Sequence, residues 1–178
     1  LTLLVFTKKR HLSFLSMADS ACLGLITGQM IGRWGNFINC EAFGRYTDCL
    51  FAMRIRRSIV NESMISQNLI DHLILDNGIE YIQVHPTFLY ESLWNFGLLM
   101  FMLWFRKRKT FTGEMLCIYL AGYGIGRAWI EGLRTDSLLI PGTQIAVSQA
   151  LSVVLATVSL VILIYNRRKA FVQRKEAN

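Results

Sequence analysis

Residues 87–105 and 145–165 are apolar almost throughout, and each run is stopped by a knot of basic side chains, Arg106–Lys109 and Arg167–Lys169. About 20 apolar residues cross a hydrocarbon core at 1.5 Å per residue, so such runs point to membrane helices. Residues 14–32 and 111–130 read as two further spans. The first is interrupted by Asp19, Gly24 and Gly28, and its small residues (Ala18, Ser20, Ala21, Gly24, Gly28, Gly32) suit close helix contact, as in a buried helix of a bundle. Only 17% of residues are charged, against about 25% in a typical soluble domain.

The net charge of +7 could suggest nucleic acid, but its distribution argues otherwise. Of the 19 Lys and Arg, 12 lie in Lys8–Arg10, Arg106–Lys109 and the tail after Asn166. Clusters placed just beyond apolar runs mark the cytoplasmic side. With Lys8–Arg10 inside, the spans alternate consistently, and Arg33, His85, Arg127 and Arg134 all fall at the outer ends. The chain opens on Leu1 and runs from a short apolar stretch straight into Lys8–Arg10, which reads as the tail of a membrane helix and hence as a fragment. The expected architecture is an all-α polytopic membrane protein, one transmembrane domain over 1–178, with a helical bundle and a small α/β cap outside the membrane.

That cap occupies about residues 46–84. Phe51–Arg56 and Ile79–Val84 alternate as short strands, and Met64 to Leu75 has helical periodicity. Asp76-Asn77-Gly78 reads as the C-cap of that helix. The four Cys (22, 40, 49 and 117) and three His show no metal-ligand spacing, so no metal is expected. A Cys40–Cys49 disulfide is compatible with an oxidising outer face.

Polar side chains gather in four blocks at the outer ends. The first is Gly32-Arg33-Trp34-Gly35-Asn36-Phe37-Ile38-Asn39-Cys40-Glu41-Ala42-Phe43-Gly44, where Arg33 and Asn36 share a helical face. An Arg–Glu pair bracing the helix end is the plainer alternative. The second is His85-Pro86-Thr87-Phe88-Leu89-Tyr90-Glu91, in which Pro86 suits a helix start. There Thr87 or Tyr90 could hydrogen-bond Glu91. The third puts Tyr123, Arg127, Glu131 and Arg134 four, four and three residues apart, on one helical stripe. Such a stripe is costly against lipid and must face a polar cavity. Glu131 can orient an Arg while guanidinium forks offer paired donors to phosphate. Ser148-Gln149 is a weaker fourth block. These residues describe a site for an anionic phospholipid headgroup, without fixing a reaction.

The first three blocks, in this order and at this spacing, resemble prolipoprotein diacylglyceryl transferases, over residues from about 18 to the end. The resemblance implies a bacterial inner-membrane enzyme that moves diacylglyceryl from phosphatidylglycerol to the lipobox Cys thiol of a preprolipoprotein. Glycerol phosphate leaves, and no cofactor is used. It implies that Arg33, Asn36 and Glu41 bind phosphatidylglycerol, that Arg127 is a second essential Arg, and that Glu131 and Arg134 orient it. Asn39, Gly44, Tyr123, His85 and Tyr90 fall on motif positions as further substrate contacts. Cys40 stands where the family commonly has Gly, and Phe88 where Gln is common. The family's His-Gly-Gly block would lie upstream of Leu1; Glu131 is the weaker base within this chain, which by itself would then be inactive. The competing class is a transporter or channel module whose Arg/Glu stripe lines a polar path.

Overall fold

The computed structural model describes residues 2–135, 138–143 and 145–176 of the 178-residue chain. The described residues form six α-helices and a three-stranded sheet: α1 (Thr2–Lys9), α2 (Phe14–Ile38), β1 (Met53–Arg56), α3 (Gln67–Asp71), β2 (Ile74–Asp76), β3 (Ile79–Val84), α4 (Thr87–Phe105), α5 (Glu114–Glu131) and α6 (Val147–Glu176). Among the described residues three helices are long and apolar enough to cross a membrane, α2, α6 and α4 with its 3₁₀ extension to Arg108. The protein is a helical, multi-pass membrane protein.

Helix α5 is the span that departs from expectation. Its 18 residues include Glu114, Arg127 and Glu131. Three ionisable side chains keep it below the apolarity of the others, and it packs against α2, α4 and α6. Helix α2 runs to Ile38 rather than residue 32, and Arg33 and Asn36 sit on it, as their shared helical face implied. Ser13 caps its start by accepting the Ser16 N–H.

The three glycines of the α2 stripe do not form the close helix contact expected of them, although Ala18 of the same stripe is buried. A Cβ added at Gly24, Gly28 or Gly32 would meet nothing within 4 Å. The close approaches belong to α5. A Cβ on Gly124 would lie 2.7 Å from the Ser152 carbonyl oxygen of α6, and one on Gly126 would strike the Trp94 indole of α4. Trp94 lies across this face and donates its indole N–H to the Gly122 carbonyl at 2.9 Å. The bundle core is Cys22, Ile26, Leu99, Met102, Phe105, Met115, Ile118 and Tyr119.

Asp19 is no flaw in α2 but a cap for α5. Its two carboxylate oxygens accept the backbone N–H groups of Gly113 (2.8 Å) and Leu116 (2.9 Å), and Lys109 Nζ lies 2.6 Å away. These N–H groups belong to the first turn of a helix, where donors lack intrahelical partners. Glu114, fully buried, accepts from the Thr110 hydroxyl at 3.0 Å and faces Arg167 Nε at 2.6 Å. Two buried acids thus bind α2, α5 and α6 together at the end of the bundle that carries the basic clusters.

At the opposite end residues 39–86 form the cap. The sheet order is β1-β3-β2, all antiparallel, with Ile55 opposite Ile82 and Ile74 opposite Tyr81. Both strand expectations hold, but the helix over 64–75 does not. There only α3 is α-helical, Met64 ends a 3₁₀ turn, and residues 74–76 pair with β3. Asn77 (φ 50°) and Gly78 (φ 78°) make the two-residue turn of the β2–β3 hairpin, not a helix C-cap. Asn-Gly supplies two left-handed residues, which matches the twist of paired strands. That local preference outweighed the apolar periodicity. Phe43, Ile55, Val60, Leu69, Ile82 and Val84 fill the cap's own core.

Candidate functional site

Where the cap meets the bundle, three chain segments are sewn together around Gly44. Its N–H donates to the His85 carbonyl at 3.0 Å, and it forms an isolated antiparallel bridge with Arg134. The next residue repeats the pattern: Arg45 N–H donates to the Leu133 carbonyl and the Arg45 carbonyl accepts from His85 N–H. A Cβ on Gly44 would come within 2.6 Å of the His85 Cβ and 3.1 Å of the Leu133 oxygen. Only glycine fits between the second and third polar blocks. The Thr87 hydroxyl donates to the Ala42 carbonyl, closing the same junction.

Beneath this junction lie four ionisable side chains from three helices. Glu91, one turn into α4, is 5% exposed and takes both guanidinium groups. Arg33 Nε of α2 stands 2.8 Å from its Oε2, and Arg127 of α5 donates from one terminal nitrogen to both oxygens at 3.3 Å. The other terminal nitrogen of Arg127 faces Glu131 Oε2 at 2.8 Å. The arginines are 19% and 18% exposed and Glu131 only 4%, so the acids are inside and the cations reach outward. Two cations and two anions sum to zero, which lowers the cost of holding charge at membrane depth. Arg33 meets this carboxylate through Nε. Trp34 and Ser92 hold α2 to α4 here: the indole N–H donates to the Ser92 oxygen, whose hydroxyl donates to the Met30 carbonyl, each at 3.2 Å.

The remaining expected site residues scatter around this centre. Tyr123 stacks on Tyr119, with ring centroids 5.8 Å apart, and lines a small cavity with Glu91, Trp94, Asn95, Gly126 and Arg127. Asn36 is half-buried on α2, and its carbonyl accepts the Glu41 N–H. Asn39 and Glu41 are exposed past the helix end and bond each other, Nδ2 to Oε1 at 3.2 Å. The Arg–Glu brace considered for this block therefore runs from Arg33 to Glu91, not to Glu41. Arg134 leaves the stripe, because α5 ends at Glu131 and the chain turns. Asp136, two residues beyond Arg134, lies outside the described residues.

His85 and Tyr90 pair with each other, Nδ1 to the phenol oxygen at 3.3 Å, and Cys49 Sγ is 3.8 Å from the same oxygen. Neither Thr87 nor Tyr90 bonds Glu91 as the sequence suggested; their hydroxyls turn to the cap, since the arginines occupy that carboxylate. Burial holds the His85 imidazole below its ordinary range. All four cysteines are free thiols, so the Cys40–Cys49 disulfide does not form. Among the described residues no three His, Cys, Asp or Glu side chains gather as a metal site.

Cys40 has φ 52°, the left-handed region in which a side chain is strained. Its position is the one at which glycine is common in the family the motif resembles. Cys40→Gly is therefore expected to unfold at higher temperature than Cys40→Ala, by about 1 kcal/mol in stability. Equal melting temperatures for the two variants would show that the backbone there is unstrained.

Glu91 is the residue that sequence reasoning undervalued, taking it for part of a helix start. The available signal was an acid one turn inside an apolar span, which lipid would not tolerate unpaired.

Comparison with known proteins bears on this geometry. The sequence profile of the family described as prolipoprotein diacylglyceryl transferase matches residues 1–165. A protein of Bacillus velezensis named phosphatidylglycerol–prolipoprotein diacylglyceryl transferase is 37% identical over 175 residues, covering 98% of this chain and 60% of the relative. One of Bacillus cereus with the same name is 39% identical, over 94% of this chain and 57% of the relative. One of Clostridioides difficile, again of that name, is 39% identical over 80% of this chain and 48% of the relative. The chain thus spans about half to three-fifths of the length of these relatives.

Proposed function

The chain belongs to the prolipoprotein diacylglyceryl transferase family, and from that membership we propose that it carries the phosphate-binding half of a diacylglyceryl transfer site. The donor is phosphatidylglycerol, and the acceptor is the lipobox Cys thiol of a preprolipoprotein. We place the chain in the bacterial inner membrane, with the cap and site at the outer leaflet and the basic end of the bundle in the cytoplasm; the charge bias supports this orientation.

The observation that carries this reading is the single carboxylate of Glu91 shared by Arg33 and Arg127. It holds two guanidinium groups side by side at the membrane end of the bundle, where a phosphodiester headgroup lies. Arg33, which meets Glu91 through Nε, is the first phosphate ligand. Arg127, fixed on both sides by Glu91 and Glu131, is the second. Guanidinium groups suit this task because their planar donors match phosphate oxygens in pairs.

In the reaction the thiol sulfur attacks the glycerol carbon that bears the phosphate. A C–S bond forms, the C–O bond breaks, and its electron pair stays on the departing phosphate oxygen. The thiol proton is lost to a base. The phosphate passes from one negative charge to two, so donors fixed in place stabilise the transition state more than the ground state. Between α5 and α6 an apolar groove of about 490 Å³, lined by Ile125, Trp129, Val153 and Leu160, suits the acyl chains.

The test uses a polypeptide covering the relatives' full length, with phosphatidylglycerol labelled in its diacylglyceryl part and a lipobox peptide. Label is expected on the peptide thiol, with glycerol phosphate released in equal amount. Movement of label across a vesicle without peptide labelling would instead favour the transporter alternative, for which family membership gives no support.

A further inference from the structure

We propose that the cavity between the cap and the α5–α6 connection is a second, water-facing site for a glycerophosphate group, which holds the leaving group after transfer. The inference rests on the reaction proposed above. The cavity has a volume of about 640 Å³, and Arg45, Ser66, Asn68, Glu131, Arg134 and Gln149 are among its lining.

Arg45 is the side chain that makes this a phosphate site. Its backbone is pinned on one side to Leu133 and on the other to His85, while the side chain stays exposed. Among the described residues it takes part in no ion pair. Arg134 adds a second guanidinium to the same walls. Ser66 stands at the N-cap of α3, yet its hydroxyl makes no capping bond there. Two guanidinium groups with a hydroxyl and an amide suit a small phosphate monoester bearing hydroxyl groups.

Charge gives the cavity its place in the reaction. At the membrane end Arg33 and Arg127 are balanced by Glu91 and Glu131, which suits a singly charged phosphodiester. Once the C–O bond has broken the product carries two charges, and hydrocarbon offers it nothing. Glu131 both pairs with Arg127 and forms part of the cavity wall, so the next cations, Arg134 and Arg45, begin one side chain away. Gln149, whose amide donates to the Ala128 carbonyl at 2.8 Å, borders this cavity on one side and the apolar α5–α6 groove on the other. Polar product and apolar chains would therefore part at that residue.

A glycerophosphate group also occurs in the intact lipid, so the experiment separates the two sources. The full-length polypeptide in detergent is titrated with glycerol 1-phosphate by ³¹P NMR, in parallel with a short-chain phosphatidylglycerol, and label transfer is measured on the same preparation. Soluble glycerol phosphate is expected to bind, and Arg45→Ala to raise its Kd about tenfold, the loss of one charge-assisted contact. Arg57→Ala, whose guanidinium pairs with Glu80 elsewhere on the cap, should leave Kd within about twofold. A transfer-competent preparation with no affinity for glycerol phosphate would overturn the inference and leave the reaction standing. So would an unchanged Kd in Arg45→Ala, or binding of the short-chain lipid alone. Tight, Arg45-dependent binding without any transfer would support the cavity and count against the proposed reaction.

Discussion

Replacing Arg33 or Arg127 by alanine in the full-length enzyme is expected to reduce diacylglyceryl transfer by at least about a thousandfold, with the fold retained. Either change removes one of the two guanidinium groups that Glu91 holds together. Lysine should not restore activity at Arg33, because one ammonium cannot bond the carboxylate through Nε and a phosphate through the terminal nitrogens at once. Glu91→Gln tests the geometry separately from the charge of the ligands. The amide keeps the shape but weakens its hold on both arginines, and a loss of about ten- to a hundredfold is expected. Transfer close to wild type in either arginine variant would end the phosphate-binding assignment. An unaffected Glu91→Gln enzyme would instead mean that the arginines are placed by something other than their shared carboxylate.

The largest effect on stability is expected at the far end of the bundle. Asp19→Ala should destabilise the protein by about 2–4 kcal/mol, because two backbone donors lose a charged acceptor. The Gly113 and Leu116 N–H groups at the start of α5 would lose their acceptor, and Lys109 would lose its counter-charge. Asp19→Asn, which can still accept one hydrogen bond, should fall between. Thermal unfolding in detergent measures both. A fall of no more than a degree or two in Asp19→Ala would show that water or lipid reaches these donors and that the cap is dispensable. Since Asp19 lies at the opposite end of the bundle from Glu91, the surviving folded fraction of the variant should transfer normally.

Much of the architecture was legible because a bilayer imposes a length and a polarity on every segment that crosses it. Apolar runs stopped by basic clusters located α4 and α6, an apolar run that follows one located most of α2, and strand alternation located β1 and β3. The cap helix failed because apolar spacing over 64–75 was read without weighing Asn77-Gly78, whose backbone preference commits the flanking residues to a hairpin. The glycine stripe of α2 failed for another reason. Spacing shows that small residues share a face but not what, if anything, that face meets; the contact was made by Gly124 and Gly126 of α5 instead.

At the site the division is similar. Sequence supplied Arg33, Arg127 and Glu131, since charged groups in apolar spans are few and costly enough to stand out. It also placed Gly44 within a polar block. Only the packed structure decided that Glu91 joins the two arginines, that Asn39 and Glu41 turn away to each other, and that Arg45 and Arg134 share a cavity. Residue types and membrane-imposed spacing are local properties, readable along the chain. Which carboxylate meets which guanidinium depends on the rotation and depth of three separate helices, and those are set by contacts such as Trp94 on Gly126 that no single segment contains.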